Sequence, residues 1–155
     1  MLEKSYVSIG INIGSFANPK NYEGLAHFLE HMLFMGSKKY PDENYYNTRL
    51  NEMGGYSNAY TAEMETIYYF SVFDNGMEEM LDIFSRFFID PLFKEDSVKR
   101  EMNAVNSEYM KNINSDMLVT KVDVASKRFF CENLFFNLNN DKLVDSLIVY
   151  WTCYC

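Results

Sequence analysis

Histidine is nearly absent from this sequence: there are two in 155 residues, His27 and His31, four apart. Cysteine is almost as scarce, and its three copies (Cys131, Cys153 and Cys155) all fall in the last quarter. An odd count with no spacing across the domain argues against a disulfide framework and points to a reducing compartment. No cysteine has metal-ligand spacing with a histidine. Positive charge is in deficit, with 14 Lys and Arg against 22 Asp and Glu, a net charge of −8. That balance argues against nucleic acid and anionic membranes as partners, and leaves a basic or neutral peptide compatible. No apolar run approaches the roughly 18 residues a spanning helix needs, so no membrane span is expected. A basic flank leading into an apolar stretch is missing from the N-terminus, so no signal peptide is expected either. The resulting expectation is a cytoplasmic protein, with mitochondria as the other address left open.

What is abundant is aromatic side chain: 13 Phe, 12 Tyr and 1 Trp, or 17% of the chain. One domain with a sizeable core can be built from this length and composition. Tyr6 to Gly14 alternates, with Val7, Ile9, Ile11 and Ile13 on one side, and predicts a half-buried strand. Gly24 to Met35 reads as a helix, apolar on nearly every side and so buried on more than one face. Pro41-Asp42 opens a second helix with a Tyr46, Leu50, Met53 stripe, ended by Gly54-Gly55. Tyr56 to Ala62 and Thr66 to Phe73 predict two strands joined by a turn. Met77, Met80, Leu81, Phe84, Phe87 and Phe88 mark an amphipathic helix closed by Asp90-Pro91. A last helix spans about 95–112, with an apolar stripe of Val98, Met102, Val105 and Tyr109 and a continuation toward Arg128. Residues 129–155 show no clear period. The sum is an α+β layered domain.

The two histidines belong to His27-Phe28-Leu29-Glu30-His31, an H-x-x-E-H run on the first predicted helix. Histidines four apart on a helix share one face, so both imidazoles can reach one metal ion. Glu30 falls on the same side, where a carboxylate can take a proton from a water. The plain alternative is a pair of hydrogen-bonded core histidines. A catalytic zinc site usually has three protein ligands, and with no further histidine the third must be an acid. The last helix offers Glu101 and Glu108. Seven apart, they differ by only about 20° around the axis, and both sit at the margin of the apolar stripe. Acids facing the core side need partners, and a metal or a ligating histidine would serve. A solvated helix edge is the competing reading. The methionine and aromatic stripes are core.

The run Gly24-Leu25-Ala26-His27-Phe28-Leu29-Glu30-His31-Met32-Leu33-Phe34-Met35-Gly36-Ser37-Lys38-Lys39-Tyr40-Pro41 resembles the active-site segment of the insulinase (pitrilysin) family, the zinc proteases with an inverted motif. Gly54-Gly55-Tyr56-Ser57-Asn58-Ala59-Tyr60-Thr61, Glu65-Thr66 with Tyr68-Tyr69-Phe70, and Arg100 to Glu108 resemble further family segments in the same order. The match covers about residues 4–125. The Lys-Lys-Tyr-Pro and Ser-Asn-Ala-Tyr-Thr segments are nearer to insulysin-type members than to mitochondrial processing peptidase.

The resemblance implies one zinc ion per chain held by His27, His31 and Glu108, with Glu30 as general base. Glu101 corresponds to the acid that orients a ligating histidine. Ser57, Asn58, Ala59, Tyr60 and Thr61 correspond to the edge strand on which peptide substrate adds as a further strand. The fold implied is a mainly antiparallel sheet packed against helices, and the activity is zinc-dependent endopeptidase hydrolysis of peptides through an activated water. Zinc suits two imidazoles and a carboxylate, though manganese or cobalt fit the same donors. Family members have four homologous domains in two lobes, and this sequence resembles the first domain alone. The second lobe's arginine and tyrosine, near the scissile carbonyl, have no counterpart here. Residues 1–128 are expected to form the zinc-peptidase domain without its first strand, and 129–155 a divergent tail from a genuine end or a truncated gene. The alternatives to an enzyme are a peptide-binding or partner-docking lobe without catalysis, and an inactive fragment needing a second lobe, either a homologous partner or another copy of this chain.

Overall fold

The computed structural model describes residues 3–112 and the backbone of 150–154. Three strands, β1 (Lys4–Ile11), β2 (Tyr56–Thr61) and β3 (Thr66–Phe73), join β4 (Tyr150–Tyr154) in one antiparallel sheet of order β2-β3-β1-β4. Four helices accompany them: α1 (Leu25–Leu33), α2 (Tyr45–Glu52), α3 (Met77–Ile89) and α4 (Glu95–Asn112). This is the α+β layering expected from the hydrophobic periods.

The register explains which side chains turn inward. Val7 pairs with Phe70 and Ile9 with Tyr68, and all four are buried against the helices. On the opposite face Tyr6, Tyr56 and Tyr60 are exposed. Helix α3 supplies Met80, Ile83, Phe84 and Phe87 to the core; the stripe selects Met80, Phe84 and Phe87 and misses Ile83, while its Met77, Leu81 and Phe88 are only partly buried, and α2 adds Tyr46 and Leu50. Rings meet edge-on in this layer: Phe70 and Phe84 centroids lie 4.9 Å apart at 61°, an arrangement favoured by the ring quadrupoles. A second, smaller cluster of Phe28, Met32, Val98 and Val105 joins α1 to α4.

Element ends differ from the sequence expectation where pairing partners run out. Alternation predicts a strand as far as Gly14, but β3 begins at Thr66, opposite Ile11. Beyond that point β3 offers β1 no further partner, and the chain turns so that the Ser15 and Phe16 N–H groups bond Ala62 O and Glu63 O at 2.9 Å each. Helix α2 begins at Tyr45 rather than at Pro41-Asp42. Asp42 instead makes the entry turn, accepting the Asn44 N–H on Oδ1 and the Tyr45 N–H on its carbonyl. The second helix ends at Gly54 as expected, in the left-handed conformation (φ +61°), where a Cβ would meet the Phe73 ring. Strand β4 is an element the sequence reading lacks. Tyr150 to Tyr154 is rich in strand-prone residues, but it has no flanking turn signal and gains its place only from the edge of β1. The continuation of α4 toward Arg128 and the domain boundary at residue 128 lie outside the described residues. Among the described residues no helix is long and apolar enough to cross a membrane.

Candidate metal centre

Helix α1 is started by Gly24, whose φ of +89° turns the chain into it, and is held at that end by Asn18 Oδ1, which accepts the Ala26 N–H at 2.9 Å. Phe28 and Met32 bury one side of the helix against α4, and Leu33 packs into the main core. His27 and His31, one turn apart, then project along the α4 side, with ring centroids 4.8 Å from one another.

Three atoms converge there. His27 Nε2 and His31 Nε2 are 3.2 Å apart. Glu108 Oε2 lies 3.6 Å from the first and 3.7 Å from the second. Ligands at about 2.0–2.2 Å from a tetrahedral ion are separated by roughly 3.3–3.6 Å. The observed triangle has that size, so these three residues form a group that could hold a metal ion. The donor set, two imidazoles and one carboxylate, is chemically suited to zinc.

The hydrogen bonding agrees. His31 Nδ1 lies 3.1 Å from Glu101 Oε2. A carboxylate only accepts, so Nδ1 carries a hydrogen, and Nε2, facing His27 and Glu108, is the ring nitrogen placed to bind a metal. His27 is held below its ordinary value of 6.5, first by burial and then by the neighbouring His31, against the opposing pull of Glu30 and Glu108. A neutral imidazole is the form that binds metal. Glu101 and Glu108, equivalent on the helical wheel, part company here: the Glu101 side chain is 17% exposed beneath His31, and that of Glu108 is 51% exposed at the open mouth.

Glu30 is 8% exposed, yet it does not join the triangle. Its Oε2 accepts the Thr61 hydroxyl at 2.6 Å. Thr61 in turn lies 3.4 Å from Thr66 Oγ1, whose own hydrogen goes to the Ile13 carbonyl at 2.8 Å. The last residue of β2 therefore anchors the glutamate on α1.

The five residues expected on an edge strand all lie in β2, which is an edge of the sheet. Their side chains do different things. Ser57 accepts from Tyr46 and donates to the Tyr69 carbonyl; Ala59 and Thr61 turn toward the helices, and Asn58 and Tyr60 face outward. The sequence reading places Thr61 on this strand for its backbone and misses the job of its hydroxyl. No local pattern signals that bond, because its partner lies 31 positions away.

The chain matches the insulinase family (peptidase family M16) over residues 2–127. It is 52% identical over 144 residues to the putative zinc protease mug138 of Schizosaccharomyces pombe, an alignment covering 93% of this chain and 14% of that protein. Against the insulin-degrading enzyme of Homo sapiens it is 49% identical over 114 residues, 74% of this chain and 11% of that one. Among solved structures pitrilysin superimposes with a TM-score of 0.66 at 38% identity, covering 70% of this chain and 12% of pitrilysin. The chain thus spans about an eighth of the length of these relatives.

Proposed function

The chain belongs to the insulinase family (peptidase family M16), and from that membership and the site geometry we propose that it is the metal-binding lobe of a zinc-dependent endopeptidase. One observation carries the reading: a ligand-sized triangle of His27, His31 and Glu108 stands beside a buried, oriented Glu30. The zinc protease so named among the relatives supports zinc as the ion.

His27, His31 and Glu108 would hold one zinc ion per chain. Lewis acidity toward a water and toward the scissile carbonyl is what that ion supplies when bound. Glu101 keeps the hydrogen of His31 on Nδ1, so that Nε2 stays available. Glu30 acts as general base: with Oε2 occupied by Thr61, Oε1 is the oxygen left to take a proton from the attacking water. The water oxygen bonds to the carbonyl carbon, the C–N bond breaks, and Glu30 returns the proton to the departing amine. Strand β2, an edge of the sheet among the described residues, pairs with the backbone of a peptide and so makes few demands on side chains. The substrate in this reading is a peptide, and the much greater length of the relatives supports completion of the site by a second lobe, supplied by a homologous partner or another copy of the chain.

The test is turnover of quenched fluorescent peptides by the purified chain with zinc, beside Glu30→Gln. Hydrolysis that is lost in the variant and in chelator establishes a working peptidase. Stoichiometric zinc without hydrolysis establishes instead the non-catalytic lobe, a half-site that needs its partner. No zinc uptake at all refutes the metal site.

A further inference from the structure

The residues of the proposed metal site come from two helices separated by a long stretch of chain: His27 and His31 from α1, Glu101 and Glu108 from α4, with His31 and Glu101 70 positions apart. Something must set how far α4 slides along α1. The apolar cluster of Phe28, Met32, Val98 and Val105 holds the helices together but resists sliding only weakly, since apolar contact is non-directional. One helical residue is a step of about 1.5 Å, enough to pull Glu108 out of a triangle with edges of 3.2–3.7 Å.

Beside the His31–Glu101 bond at the site itself, a set of directional contacts lies at the N-terminal end of α4. The chain leaving α1 forms a loop, 34–44, that is itself firmly pinned. Ser37, 2% exposed, closes a turn with Tyr40. Tyr40 donates its hydroxyl to Asp82 of α3 at 2.5 Å, and Lys39 reaches the same carboxylate at 2.6 Å. From this fixed loop Glu43 grips the start of α4 twice. One carboxylate oxygen accepts the hydroxyl of the fully buried Ser97, and the other pairs with Arg100. Lys94, just before the helix, donates to the Pro41 carbonyl at 2.5 Å. An anion at a helix N-terminus is also favoured by the helix dipole. Ser97 lies one turn before Glu101, and Arg100 is its immediate neighbour in the chain.

We propose that Glu43 is a positioning residue for the metal site: through Ser97 and Arg100 it sets the axial register of α4 on α1, and so the placement of Glu101 and Glu108. The inference deepens the reading above and rests on it. Glu43 touches neither histidine nor either acid. Its effect passes through a helix whose N-terminal turns are clamped by the same stretch of chain that continues α1.

The experiment measures zinc affinity of the full chain by competition with a chromophoric chelator, and melting of the metal-free protein in parallel. Glu43→Ala is expected to weaken zinc about tenfold to a hundredfold, the range for residues that orient ligands. Glu43→Gln, which keeps a partner for Ser97 and loses the charge on Arg100, should fall between. Glu79→Ala is the control. It breaks the Arg49–Glu79 pair between α2 and α3, a pair of comparable exposure, and should lower melting while leaving zinc affinity unchanged. Wild-type zinc affinity in Glu43→Ala would overturn the inference, as would equal weakening in Glu79→Ala at an equal melting loss. Should Glu43→Ala fail to fold, unchanged affinity in Glu43→Gln overturns it. A wild-type chain that takes up no zinc refutes the metal site first, and the inference with it.

Discussion

Thr61 donates its hydroxyl to Glu30 at 2.6 Å, tying the end of an edge strand to the carboxylate that stands beside the histidine pair. This bond joins the two halves of the proposed chemistry, since β2 is where a peptide would lie and Glu30 is where its proton would go. A buried carboxylate without a partner would be costly, so the bond also holds the hairpin against α1. Thr61→Val should therefore destabilise the metal-free chain by about 1.5–3 kcal/mol, the worth of a hydrogen bond to a charged group, in a urea melt. Thr61→Ser should restore most of it. A loss in Thr61→Ser with none in Thr61→Val would show that the methyl group, not the hydroxyl, matters.

Zinc should stabilise the folded chain through the triangle of His27, His31 and Glu108. At a free concentration a hundred times Kd the gain is about 2.7 kcal/mol, readable as a shift in melting temperature that chelator reverses. His27→Ala and His31→Ala should abolish the shift. Glu101→Gln should keep it but require roughly ten to a hundred times more zinc. A full shift in His31→Ala would remove that ring from the site.

Glu30→Gln should take up zinc with wild-type stoichiometry and show no peptide hydrolysis. The amide keeps a carbonyl oxygen for Thr61 but cannot carry a proton to the leaving amine. If a cleaving wild-type preparation retained its rate in this variant, another group would have to be the base.

Acid should weaken the metal-free fold in two stages. His27 titrates lower in the folded chain than in the unfolded one, where its ordinary value is 6.5. The unfolded chain therefore binds more protons, and stability falls as the pH drops below about 6.5 until His27 also protonates in the fold. Glu43, Glu79 and Asp82 are likewise held down, first by hydrogen bonds from Ser97, Arg49 and Lys39 respectively, and lose their contribution further down, below about 4.5 for the two glutamates and about 3.8 for Asp82. Melting followed from pH 7.5 to 4 should show the upper stage in the wild type and lose it in His27→Gln. An upper stage that persists in that variant would assign it elsewhere.

The main core should be least forgiving at Phe84, fully buried among Phe70, Phe87 and Tyr46. Phe84→Ala should cost about 3–5 kcal/mol by denaturant unfolding, while Phe16→Ala, 76% exposed, should change little.

Period and punctuation in the sequence determined much of this protein. Alternation placed Val7 and Ile9 inward, the 3.6-residue stripe selected Met80, Phe84 and Phe87, and the ends of β2 and β3 and the start of α4 lie within a residue or so of where the pattern puts them. The spacing of His27, Glu30 and His31 is likewise a local fact, because a helix turns neighbours at four onto one face. Tertiary structure alone decided what depends on residues far apart in the chain. Strand β1 stops at Ile11 because β3 starts opposite it. Glu101 and Glu108, alike on the helical wheel, differ because α1 covers one and leaves the other open. The bond from Thr61 to Glu30 and the grip of Glu43 on Ser97 and Arg100 span 31, 54 and 57 positions. Local pattern records which face a side chain takes, and only packing determines what it meets there.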